Sequence, residues 1–168
     1  MRISRKKICC ILLAAAAAAF AAYKIFGGVS DEAKIINTVS DMVSLASKPE
    51  AASPAELALK LRILQRVFSD KVTIDFGARR MSDVYTPRSL EPMLANFRKS
   101  FVSTTASMSD EELRIDEARA DIVFACRFRG KPKSGTYVDE VRDVTCSLQK
   151  TDGVWKIDKV VINDILER

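Results

Sequence analysis

The sequence predicts an α+β domain in which three N-terminal helices pack on a curved, mainly antiparallel sheet, preceded by an N-terminal transmembrane or signal helix. Three observations lead there. Residues 1–28 are basic and then continuously apolar, residues 30–101 carry mainly helical periodicity, and the chain from residue 113 onward alternates as strands with short connections. With 168 residues, 48% hydrophobic and 29% charged, the chain is long enough for one domain with a real core and too apolar to be disordered.

Arg2, Arg5, Lys6 and Lys7 precede the apolar run Ile8 to Tyr23, which continues past Lys24 to Phe26. That order is the order of a secretion signal or signal anchor. The run is close to the ~20 residues that span the hydrocarbon, and Lys24 can snorkel to the interface. Ala19-Phe20-Ala21 also reads as a cleavage site. The domains are therefore residues 1–28, an anchor or signal peptide, and residues 29–168, the folded part. The expected location is the inner membrane, held through residues 8–26 with the domain in the periplasm or outside, or alternatively secretion after cleavage. Removing the five basic residues up to Lys24 from the net charge of +5 leaves the remainder neutral. A nucleic-acid partner is therefore not expected.

Ile35, Ile36, Val39, Met42, Val43 and Ala46 form one helical stripe, opened by Ser30 and acidic Asp31 and Glu32. After the loop Lys48 to Ser53, Ser53-Pro54-Ala55-Glu56 starts a second helix: Ser as N-cap, Pro at the first helical position, Glu closing a capping box. Leu57, Leu61, Leu64 and Phe68 are its buried stripe. Val72, Ile74 and Phe76 alternate with Thr73 and Asp75 as a half-buried strand. Thr86-Pro87 opens a third helix carrying Leu90, Leu94, Phe97 and Phe101 on one face. Leu113 and Ile115 mark a short strand, and Ile122 to Arg129 a longer one. Gly130 to Gly135 is a turn, Tyr137 to Leu148 a strand, Thr151-Asp152-Gly153 a turn, and Val154 to Asn163 the last strand. These strands should form an antiparallel meander.

This order, with Phe68-Ser69-Asp70-Lys71-Val72-Thr73-Ile74 and Val154-Trp155-Lys156-Ile157-Asp158-Lys159-Val160-Val161-Ile162, resembles the nuclear transport factor 2-like superfamily, which includes the SnoaL-like cyclases and ketosteroid isomerase. The resemblance covers roughly residues 31 to 165 and implies a cystatin-like cone, helices and bent sheet enclosing a pocket. It implies that dimerisation is to be expected, and that Asp and Tyr side chains in the cone could do isomerase-like chemistry.

The chain has no histidine. That excludes Ser-His-Asp and Cys-His catalysis and nearly all mixed metal sites, so neither a metal nor a cofactor is expected. Cys126 and Cys146 should be two separate thiols. If the flanking strands turn about Gly130 to Gly135, Cys126 lies opposite residue 139 or 140, and Cys146 falls on the order of 20 Å away. Candidate pocket residues are Asp75, Tyr85, Tyr137, Arg142 and Trp155, with Asp83 beside them. Each has a plainer reading: Asp75 on the solvent face, Tyr85 packed at a helix entrance, Trp155 filling the core.

Glu140 and Arg142 share strand parity with inward Val138, Val144, Cys146 and Leu148. A bulge near Val141 is expected to turn both charges outward; without one they would line or pair inside a pocket. Arg127, Arg129, Lys131 and Lys133 read as a solvated sheet edge. The functional expectation is a membrane-anchored domain without evident catalysis, binding a protein partner or a small apolar ligand. The alternatives are a SnoaL-like or isomerase-like enzyme and a scaffold component of an envelope-spanning complex.

Overall fold

The computed structural model describes residues 29–77 and 81–163. The expected anchor or signal helix, with its membrane contact through residues 8–26, lies outside them. Among the described residues no helix is long and apolar enough to cross a membrane.

The elements run α1 (Asp31–Leu45), α2 (Pro54–Val67), β1 (Phe68–Phe76), β2 (Met81–Tyr85), α3 (Pro87–Ser100), β3 (Phe101–Asp116), β4 (Arg119–Pro132), β5 (Val138–Thr151) and β6 (Val154–Ile162). The strands form one six-stranded sheet in the order β2-β1-β6-β5-β4-β3. The C-terminal meander is antiparallel as expected, while β1 pairs parallel with β6 and makes the sheet mixed.

Local chemistry sets the helix starts. Ser30 Oγ accepts from the Ala33 amide at 3.2 Å, and Ser53 Oγ from the Glu56 amide at 3.2 Å. The reciprocal capping box expected at Ser53 and Glu56 does not close, because the Glu56 carboxylate is turned to Arg98 instead. It closes at α3, where Thr86 Oγ1 accepts from the Ser89 amide at 3.2 Å and Ser89 Oγ from the Thr86 amide at 2.9 Å.

Both α2 and α3 run directly into strands. Phe68 and Phe101 are their C-caps with extended backbone, φ −95° and −113°. Phe101, expected on the third helix, therefore begins β3. That strand is far longer than the short one expected about Leu113 and Ile115, and β2 was not anticipated at all. The turn expected from Gly130 lies at residues 133–137, because β4 stays paired as far as Pro132. Nor is β4 a sheet edge: it lies between β3 and β5. Arg127 and Arg129 instead share Asp139 across the outer face, at 2.8 Å and 3.4 Å. The Arg127 guanidinium hydrogen-bonded to Asp139 holds that carboxyl below the usual carboxylate range.

The core lies between the helices and the inner sheet face. Ile35 and Val39 of α1, Val72 of β1, Ile122 of β4, Cys146 of β5 and Ile157 of β6 are all fully buried. Each such aliphatic side chain contributes about 1.5–3 kcal/mol of transfer free energy. The edge strand β3 is covered by the loop after α1. Lys48 and Thr104 exchange two backbone hydrogen bonds of 2.9 Å, Thr104 Oγ1 donates to the Ala46 carbonyl at 2.6 Å, and Lys48 Nζ donates to the Phe101 carbonyl at 2.6 Å. These bonds occupy backbone groups that would otherwise invite another strand.

Candidate functional site

Strand parity decides what faces the interior. Along β4, Phe124, Cys126 and Phe128 point inward, and the unbroken β4–β5 register places Val144, Arg142 and Glu140 directly opposite them. No bulge occurs near Val141, which corrects the expectation that both charges turn outward. They remain on the inner face because each supplies the other's partner. Arg142 donates from Nε at 3.1 Å and from Nη2 at 2.9 Å, both to Glu140 Oε2.

These residues line an open cavity of about 450 Å³ together with Phe76, Cys126, Phe128, Val144 and Ile162. An adjoining cavity of about 410 Å³ shares Phe76, Cys126, Phe128, Val144 and Ile162 and reaches under the helices to Met42, Leu64, Leu90 and Phe97. Among the described residues, everything lining the two is apolar apart from Glu140 and Arg142. Phe76 and Met93, 40% and 48% exposed, mark the side open to solvent. The Phe97, Phe101 and Phe128 rings pack at centroid distances of 5.1–5.8 Å, a rigid aromatic corner on one wall.

Of the candidates read from the sequence, Arg142 alone reaches this cavity. Asp75 sits between the inward-facing Ile74 and Phe76 on β1 and so occupies the opposite sheet face. Tyr85 packs against the core at the end of β2, its hydroxyl donating to Asp83 Oδ2 at 3.4 Å. Tyr137 stands in the β4–β5 turn and is 58% exposed. Trp155 is buried beside the β5–β6 turn, with Lys150 Nζ 5.6 Å from its ring, and fills the core there. Asp75, Tyr85, Tyr137 and Trp155 therefore do not form a site. The sequence reading misses the apolar wall itself; Glu140, which it names for its parity with Val144 and Cys146 and expects outside, stands inside with Arg142.

Cys126 and Cys146 are free thiols. Cys126 lies opposite Arg142, not residue 139 or 140, because the turn is centred further along; Cys146 lies opposite Ile122. Four strand positions, about 13 Å, separate the two cysteines along β5's partner register. Burial, and next to it Cys126, pushes the Cys146 thiol up to about 12, and burial raises Cys126 as well. Neither is an activated nucleophile. Among the described residues no group of three or more His, Cys, Asp and Glu could hold a metal ion.

Solved structures reproduce this helix-and-sheet cone. Hexachlorocyclohexane dehydrochlorinase LinA-type3 from Novosphingobium barchaimii superimposes with a TM-score of 0.62 at 14% identity, over 80% of this chain and 88% of that one. The fold is that of the nuclear transport factor 2-like proteins. A nuclear transport factor 2-like protein from Cytophaga hutchinsonii matches at 0.61 and 12% identity, over 82% of this chain and 100% of its own. A Kribbella flavida protein matches at 0.63 and 19%, over 79% and 89%. At these identities the likeness is one of fold. No family model matches the sequence, and no curated protein matches it. Within the nuclear transport factor 2-like cone, the cavity above occupies the space between helices and sheet, and its lining is this chain's own.

Proposed function

We propose that the domain binds a small apolar ligand in the cavity between its helices and its sheet. One observation carries this reading: a cavity of several hundred Å³ with an open side, lined among the described residues by apolar side chains and one ion pair. Small-molecule sites have this size and this sparse polarity. The domain is further read as extracytoplasmic, tethered through residues 8–26, on the basic-then-apolar order of the N-terminus alone.

The test is a titration of the full-length chain with N-phenyl-1-naphthylamine, a neutral apolar fluorophore. Saturable enhancement is expected, weakened at least tenfold by Cys126→Phe, which fills the shared wall. A linear, unsaturable rise, or one indifferent to Cys126→Phe, would sink the reading. For the tether, the full-length chain should stay with membranes through alkaline carbonate extraction; release into the supernatant counts against it.

A second reading is an elimination or isomerisation with Glu140 as the base. It is favoured by the carboxylate on an apolar wall and by a dehydrochlorinase sharing the fold. It ranks second because Oε2 already accepts two hydrogen bonds from Arg142, leaving only Oε1 for a substrate proton. Among the described residues, the cavity holds no Asp or Tyr for the chemistry that the resemblance implied.

A further inference from the structure

β5 is longer than its neighbour β6, and the difference leaves a stretch of strand edge. The pairing of β5 with β6 stops at Val144 and Ile162, while β5 stays paired with β4 back to Val138. One further bond continues the β6 side: the Asn163 amide donates to the Asp143 carbonyl at 2.9 Å. Successive residues of a paired strand turn their backbone groups alternately to either side. The β4–β5 register is unbroken here, so Val141 and Asp139 turn their amides and carbonyls the same way as Asp143. Among the described residues, no hydrogen bond reaches those four groups. Side chains do not shield them: Asp139 is bound to Arg127 and Arg129 on the outer face, and Glu140 and Arg142 to each other inside. An edge in this state accepts another strand.

A second copy meeting it by two-fold symmetry fits badly. It would set Asp139 opposite Asp139 or Glu140 opposite Glu140, or need the Asp143 carbonyl that Asn163 holds. The next residues of this chain fit. Carried on, the register that sets Ile162 opposite Val144 places Asp164 opposite Arg142, Ile165 opposite Val141 and Leu166 opposite Glu140. Glu167 falls opposite Asp139, whose carboxylate Arg127 and Arg129 share. By strand parity Asp164 and Leu166 take the inner face. Asp164 brings a carboxylate to Arg142, whose Nη1 is turned away from Glu140 and has no hydrogen bond among the described residues. Ile165 takes the outer face against Val141, which is 45% exposed.

We propose that residues 164–168 occupy this edge as an antiparallel strand continuing β6, completing the sheet beside Glu140 and Arg142 of the cavity. This pairing is independent of what the cavity binds. Hydrogen exchange resolved to single amides, on the full-length chain in lipid nanodiscs, tests it. The Val141 and Asp139 amides should exchange about a hundredfold slower than free amides. Ile165→Pro removes the amide that would donate to the Val141 carbonyl. It should speed both at least tenfold, to about the free rate, and leave the amides of Glu140 and Arg142, bonded to β4, unchanged. Free exchange at Val141 and Asp139 in the native chain would overturn the proposal. So would protection that survives Ile165→Pro, which would assign the edge to another chain. Cysteine pairs under mild oxidation, read by peptide mass mapping, check the register. Val141→Cys with Ile165→Cys sets the Cα atoms about 5.5 Å apart, within disulfide reach. That pair should crosslink at least tenfold faster than Val141→Cys with Glu167→Cys, two positions out of register. Equal rates, or no crosslink in the first pair, would also overturn it.

Discussion

Arg98 of α3 pairs with Glu56 of α2, and the same guanidinium closes the C-terminus of α1. Arg98 is 5% exposed; its Nη1 donates to the Ser47 carbonyl at 2.6 Å and to the Leu45 carbonyl at 3.4 Å, while Nη2 meets the Glu56 carboxylate. One buried cation therefore ties three helices. A cation at a helix C-terminus complements the helix dipole, and leaving a buried partner unpaired is expensive. Arg98→Leu should destabilise the domain by about 3–5 kcal/mol. Glu56→Gln, which keeps an acceptor, should cost about 1–2 kcal/mol. Urea denaturation of the two variants checks the order; equal losses would mean that the carbonyl contacts contribute little.

Gly130 marks a close approach. A Cβ at this position would lie 2.7 Å from Phe101 Cε1 and 3.1 Å from Phe128 Cε1. Gly130→Ala should cost about 1–3 kcal/mol by overpacking. Adding Phe101→Leu should recover part of that loss, which a double-mutant cycle would read as coupling.

Cys146 predicts an alkaline weakness. Its thiol rises from an ordinary 9.0 to about 12 on folding, so the folded state holds the proton more tightly than the unfolded chain. The contribution is complete below about pH 9 and is lost as the pH climbs through 12. The slope approaches about 1.4 kcal/mol per pH unit across that window. Cys146→Ala should flatten the decline relative to the native chain in denaturation curves between pH 8 and 10.5. Of these two thiols, Cys126 should react first with iodoacetamide at pH 8, and Cys146 only upon unfolding.

Phe124 and Phe128 weight stability and ligand size differently. Phe124 is 1% exposed in the core, whereas Phe128 is half-buried and lines both cavities. Phe124→Ala should cost about 3–5 kcal/mol. Phe128→Ala should cost less and should admit a bulkier probe; an unchanged size limit would show that another wall sets it.

Legibility in the sequence followed how local each determinant was. Ser53-Pro54 and Thr86-Pro87 announced their helices because caps act within one turn. The alternation Ile122, Phe124, Cys126, Phe128 announced β4 because its inner face is uniformly apolar. The first half of β3 was hidden. Its inward positions Thr104 and Ala106 are polar or small, and what fixes them is Lys48 and Ser47 reaching over from the helical layer. The site failed for the same reason. Glu140 and Arg142 broke the expected pattern, a bulge was the local remedy, and the actual remedy was a pair of charges satisfying each other inside. Asp75 and Tyr137 are candidates by residue type, which says nothing about which sheet face a side chain occupies.

The parallel pairing of β1 with β6, Ile74 beside Val160 and Phe76 beside Ile162, also sets when the cavity comes into being during synthesis. The last strand is not an addition at the rim: it lies between β1 and β5 in the middle of the sheet. Until Val154 to Ile162 have been made, the N-terminal strand pair and the growing meander have no contact along their facing edges. Both edges and the apolar wall stay open for that whole interval, the condition under which incomplete chains associate. A nascent chain stalled before Val154 should be degraded by protease throughout, and one released past Ile162 should resist. The nine-residue strand Val154–Ile162 is thus the step that closes the container, and any carrier of the unfinished chain must act before it.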